Sequence, residues 1–180
     1  MGKQFLVLLL FSVATLASGD DIAMKTWFKK TDLSKQKVTQ LQLYVQDILQ
    51  GPTPTNVVVA SANSTATSPT SFGLVVVLDD PVRIGPDPNS KTVGRFQGFY
   101  TFSSLEEQSI HLSFDFVFTT GKLNGSTLTL VGNNRFLREH REVPIVGGSG
   151  VFRLARGFAG VRTVSFTEFI FEYNLTILHY

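Results

Sequence analysis

An all-β fold is what this sequence predicts, made of about eight short antiparallel strands that close into a barrel or stack as a sandwich. Three observations predict it. Sixteen phenylalanines, with many valines, threonines and leucines, gather in short runs of strand-forming residues. Glycine and proline punctuate these runs as turn residues do. No stretch carries sustained helical periodicity with caps at its ends.

The chain opens with Met1 and Lys3, an apolar run from Phe5 to Leu16, and the small residues Ala17, Ser18 and Gly19. That order predicts a secretory signal peptide over residues 1–19, cleaved near Gly19. The run is shorter than the ~20 apolar residues a spanning helix needs, so no membrane anchor is expected. Residues 20–39 are mixed and charged and read as a mobile arm in which Trp27 and Phe28 are the groups able to dock. Residues 40–180 form the folded domain, large enough for one sizeable core.

The first strand is Gln40 to Leu49. Leu41, Leu43, Val45, Asp47 and Leu49 share one face, and Gln40, Gln42, Tyr44 and Gln46 the other. Asp47 thus sits among aliphatics, an unusual place for a carboxylate. Gly51 to Pro54 breaks the strand, Val57 to Ala60 is a short one, and Ser61 to Ser71 is a polar loop. Phe72 to Leu78 is an apolar strand that Asp79-Asp80-Pro81 is expected to stop. After the turn-dense Gly85 to Pro88, strand character resumes over Val93 to Phe102. His111 to Phe118 places Leu112, Phe114, Phe116 and Phe118 on one face. Gly121 to Gly125 turns the chain back into Ser126 to Val131. Glu142 to Val146 runs into Gly147-Gly148-Ser149-Gly150, read as a tight bend. Phe152 to Phe166 and Glu168 to Tyr180 complete the set, with Phe169, Phe171, Tyr173, Leu175 and Ile177 on one face.

Composition excludes several functions. With no cysteine, there are no disulfides, no thiol catalysis and no thiolate metal site. His111, His140 and His179 lack metal-ligand spacing, so no metal is expected. The glycine-rich stretch at 147–150 lacks both the phosphate-loop ending and the nucleophile-elbow pattern. The net charge of +2 is spread along the chain without a basic stripe, and no nucleic-acid partner is expected. It is compatible with attraction to an acidic polysaccharide matrix.

Candidate functional residues remain. Asn63, Asn124 and Asn174 each begin an Asn-x-Ser/Thr sequon, a glycan acceptor in an exported protein. Burial of Asp47 would raise its pKa and suit it to donate a proton near neutral pH. Arg141 can steady a phenolate or a carboxylate, or else close an ion pair at a barrel end or between subunits.

Six stretches, in order from about Gln40 to the C-terminus, resemble the plant dirigent family. They are Leu43 to Leu49; Asp79-Asp80-Pro81 with Gly85-Pro86; Val93 to Tyr100; Asn124 to Leu128; Arg141 to Gly157; and Glu172-Tyr173-Asn174 with His179-Tyr180. The resemblance implies an eight-stranded antiparallel barrel of allene oxide cyclase or lipocalin type, usually a homotrimer, in the apoplast and cell wall. It implies no cofactor and no oxidative activity. A separate laccase or peroxidase makes phenoxy radicals, for example from coniferyl alcohol, and the barrel directs their stereoselective coupling to lignans. Some relatives instead convert a quinone methide or an isoflavanol by dehydration and ring closure. At matching positions, Asp47 is implied as a proton-transfer residue, and Tyr100 and Arg141 as pocket positions with Thr163 nearby. Asn134 stands where lignan-forming members can carry a second aspartate, leaving hydrogen bonding but no acid. Radical coupling is the first expectation, dehydration and cyclisation the second, and a non-catalytic wall or defence module the third.

Overall fold

The structure, a computed structural model, describes residues 26, 27 and 29–180. The signal peptide expected over 1–19, and Phe28, lie outside the described residues. The chain divides into an N-terminal unit ending at Lys35 and a body, Gln36–Tyr180. In the first unit, the Thr31 hydroxyl donates to the Trp27 carbonyl at 2.8 Å, and Lys35 pairs with Asp32 at 3.3 Å.

Nine strands build the body: β1 (Lys37–Gln46), β2 (Asn56–Ala60), β3 (Val75–Arg83), β4 (Thr92–Phe102), β5 (Ile110–Phe118), β6 (Thr127–Asn134), β7 (Arg141–Ser149), β8 (Arg156–Ser165) and β9 (Ile170–His179). The order β1-β9-β8-β7-β6-β5-β4-β3 returns to β1, antiparallel at every step. Of the two expected architectures this is the closed one, an eight-stranded barrel. The ninth strand, β2, shares an edge of β3 with β1. Val75 to Leu78 pair with β2, while Val82 and Arg83 pair with β1.

Strand alternation sends one row of each strand inward. Leu43 and Val45 of β1, Leu78 and Val82 of β3, Leu112 to Phe118 of β5 and Tyr173 to Ile177 of β9 supply buried members of one core. Phe96 is the centre of an aromatic stack, with ring centroids 4.5 Å from Phe116, 4.6 Å from Phe114 and 5.2 Å from Tyr173. Phe118 packs on Phe152, and Phe152 on His179, filling the end of the barrel where β9 finishes. The opposite end, where β4, β6 and β8 finish, stays open.

Four sequence expectations are corrected. The arm ends earlier than residue 39, because β1 starts at Lys37 and pairs there with His179. Phe72 to Leu74 precede β3 rather than belonging to it. Asp79-Asp80-Pro81 does not stop β3. The Asp79 amide donates to the Thr55 carbonyl, so Pro81, two residues on, would aim its absent N–H at the same edge. That edge is where β2 hands over to β1, and no ladder bond is lost. Finally, β7 runs through Gly147 to Ser149. Val146 is the extra residue of a bulge in β7 opposite Thr129 and Leu130 of β6, and bare Gly148 lets the chain pass against the Phe152 carbonyl.

Candidate functional site

The open end of the barrel holds a cavity of about 230 Å³. Its wall is mainly aromatic. Phe96, Tyr100 and Phe102 come from β4, Ile110 and Phe114 from β5, and Phe171 and Tyr173 from β9. Residues that follow the strands form the rim: Leu49 after β1, Phe136 and Leu137 after β6, and Phe166 and Phe169 between β8 and β9. Gly98 gives the Phe114 ring its place. Its φ is +148°, and a Cβ there would lie 2.1 Å from the Ser113 carbonyl oxygen and 3.0 Å from the ring.

Asp47 lines this cavity one residue beyond β1, and its amide donates to the Phe169 carbonyl at 3.1 Å. Its carboxyl meets that of Asp80, fully buried on β3. Asp80 Oδ1 accepts from the Thr55 hydroxyl and, at 3.0 Å, from the Asn56 amide. Asp80 Oδ2 is buried with no hydrogen-bond partner. Burial first, then the charge and hydrogen bond of Asp80, raise the Asp47 pKa well above the usual carboxylate range. Burial also raises Asp80, to about 6, against the opposing pull of Thr55, Asp47, Arg95 and Asn56. Both shifts run upward, the direction that favours holding a proton where two carboxyls are buried together. Among the described residues no third potential metal ligand joins them.

Tyr100 lines the same cavity. Burial and then the Asp47 charge push its pKa up, as they do for Tyr173, so both phenols stay protonated. Asn134, the last residue of β6, also lines it, with its buried Oδ1 without a hydrogen-bond partner. Arg141 and Thr163 are joined to each other instead. The Arg141 guanidinium donates to Thr163 Oγ1 at 3.0 Å, to the Phe136 carbonyl at 2.7 Å and to the Val161 carbonyl at 3.4 Å. None of these is a carboxylate, and neither residue lines the cavity. Arg141 acts on it through Tyr173, whose pKa its charge pulls down, and through Phe136 of the rim. Burial lowers the pKa of Arg141 itself.

The three sequon asparagines are all exposed on the outside. Asn63 opens a 3-10 turn in the polar loop, and Asn124 ends the turn between β5 and β6. Asn174 lies mid-strand in β9, its amide donating to Glu172 at 3.2 Å. Burial alone would raise the Glu172 pKa, but hydrogen bonds from Arg162, Gln42 and Asn174 outweigh it and hold the carboxyl low.

Asp80, Tyr173 and Thr55 are the site members that reading the sequence missed. For Asp80 the signal existed, because Val76, Leu78, Asp80 and Val82 alternate onto one face. Reading Asp79-Asp80-Pro81 as a strand stop concealed it.

Comparison with known proteins agrees with this architecture. Residues 38–178 match the family described as Dirigent-like protein. Dirigent protein 1 of Arabidopsis thaliana is 40% identical over 99% of this chain and 100% of its own. Pterocarpan synthase 1 of Glycyrrhiza echinata is 42% identical over 81% of this chain and 80% of its own. A solved pterocarpan synthase dirigent protein superposes with a TM-score of 0.75 at 41% identity, covering 81% of this chain and 92% of that one.

Proposed function

The chain belongs to the dirigent family, and from that premise we propose that its barrel takes a phenolic precursor bearing a benzylic hydroxyl and drives loss of water and ring closure. The buried carboxyl pair carries this reading. Protonated Asp47 donates to the leaving hydroxyl, the C–O bond breaks and water departs. The electron-rich phenol spreads the resulting positive charge as a quinone-methide-type intermediate. A second hydroxyl of the substrate then forms the new C–O bond, and its proton returns to Asp47. One water is lost overall, and no oxidant or reductant is consumed. Aromatic walls exclude bulk water, which would otherwise trap the intermediate, and hold the two reacting ends together. Relatives named pterocarpan synthases, at about 41–42% identity, support this reading.

The test is turnover of an isoflavanol with a free phenol, followed by chromatography. Asp47→Asn should abolish ring closure while circular dichroism retains the barrel signature. A folded variant with unchanged rate removes Asp47 as the donor.

Guided coupling of phenoxy radicals, the first expectation from sequence, becomes the second reading. Coupling as such needs an orienting pocket but no proton donor, and a proton donor is what the carboxyl pair supplies. The aromatic cavity favours this reading too, since it can orient a planar radical made by a laccase or peroxidase. Coniferyl alcohol with laccase should then give an enantiomeric excess that grows with protein dose. Racemic product, together with no turnover of the isoflavanol, leaves the wall or defence module.

The same reading makes the protein an apoplastic glycoprotein. Purified from a secreting host, it should begin near Asp20 and lose mass on enzymatic deglycosylation. An intact Met1 terminus overturns export by cleavage.

A further inference from the structure

We propose that Phe169 is a specificity-determining residue, whose ring closes the cavity mouth over an aromatic substrate and positions it against Asp47. The inference rests on the reading of this cavity, with Asp47 in its wall, as the substrate site. Phe169 is the last residue of the β8–β9 connection, beside a bulge between Thr163 and Ser165 of β8. Its φ is +51°. A connection ending in this left-handed conformation next to a bulge is served best by glycine, which pays no Cβ penalty there. A bulky aromatic in that conformation is strained, and such strain clusters where a side chain is used. Two other non-glycine residues among those described share the conformation, Ser71 and Leu154. Neither lines the cavity, and Phe169 does.

The connection is fastened on the catalytic side. The Phe169 carbonyl accepts the Asp47 amide at 3.1 Å, and Ser165 Oγ accepts the Glu168 amide at 3.1 Å. One backbone hydrogen bond therefore ties the chain at Phe169 to the chain at Asp47. Phe166 of the same connection and Leu137 across the mouth are exposed apolar neighbours on the rim. A ligand reaching from Asp47 to the mouth meets Phe169 there. The ligand class that fits is a phenol linked to a second aryl ring, one ring deep among Phe96, Phe114 and Tyr173 and the other against Phe169.

The experiment compares Phe169→Gly and Phe169→Ala with the parent. The probe is an isoflavan that carries a free phenol but no leaving hydroxyl, with affinity read by calorimetry. Both variants should bind it about tenfold more weakly, the loss expected from one aromatic contact. Phe169→Gly should melt at or above the parent and Phe169→Ala below Phe169→Gly, because only glycine relieves the backbone. With a reactive isoflavanol, KM should rise while the alkaline limb of the rate profile, which reports Asp47, stays in place. Parent-like affinity and product selectivity in Phe169→Gly would overturn the proposal. A parent that fails to bind the probe overturns the pocket reading and this inference with it. Unchanged turnover in Asp47→Asn with weakened binding in Phe169→Gly removes only the donor role and keeps the ring's.

Discussion

At the scale of residues, a buried pair of carboxyls distinguishes the site. Asp47 and Asp80 are both raised above an unfolded carboxylate, chiefly by burial. Groups raised in the folded state bind protons the unfolded chain has released. Their contribution to stability is present at acid pH and is lost as pH rises through the folded values. Turnover should follow the same proton and fall as Asp47 ionises on the alkaline side. Asp80→Asn removes the neighbouring negative charge, so the Asp47 pKa should drop and the alkaline limb should move to lower pH. A kcat profile across pH 5 to 9 reads this directly, using about the range in which such groups titrate. A limb that stays put in Asp80→Asn means that the two carboxyls are not coupled. Of the site, Asp47 was legible from its aliphatic neighbours at alternate positions. Arg141 was legible as a charge beside a strand, and Tyr100, Asn134 and Thr163 came from the family resemblance. Asp80 was not legible as a partner, because 33 positions separate it from Asp47 (80 − 47) and no local pattern links the two.

At the scale of elements, β4 gives the cavity more of its wall than any other strand, through Phe96, Tyr100 and Phe102, and β3 carries Asp80. Pro81 fits within β3 because its missing N–H falls at the handover from β2 to β1. Gly98 on β4 faces Leu78 and Phe114 in register and lets the backbone pass close to β5. Gly98→Ala would thrust a methyl into the Ser113 carbonyl and the Phe114 ring. A loss of about 3 kcal/mol or more is expected, measured as a lower midpoint in urea. An unchanged midpoint would show that β4 and β5 can part without cost. The strand cores were readable because alternation fixes which residues face inward. Their ends were not, because Pro81, Gly147 and Asn134 continue strands only by virtue of the neighbours they meet across the sheet.

At the scale of the whole molecule, closure leaves the outer wall partly apolar. Val57 of β2, Val77 of β3 and Phe99 of β4 stand side by side in register, and all three are exposed. Adjacent apolar side chains on an outer wall favour self-association. The trimer implied by the family resemblance is proposed to use this face. Sedimentation should give the mass of three chains for the parent and of one chain for Phe99→Glu, with the barrel intact in both. A monomeric parent would count against assembly through this wall.

The sequence by itself determined the all-β class, the inward rows of most strands, the family and the anomaly at Asp47. Each of these rests on local alternation or on ordered motifs, which need no knowledge of distant neighbours. Only the tertiary structure decided that the sheet closes rather than stacks, since closure depends on the short β1–β3 pairing at Tyr44–Arg83 and Val45–Val82. It alone brought Asp80 against Asp47, bound Arg141 to carbonyl oxygens and Thr163, and set Phe169 at the mouth in a strained conformation. Those features depend on burial and on groups far apart in the chain, and burial exists only once the barrel has closed.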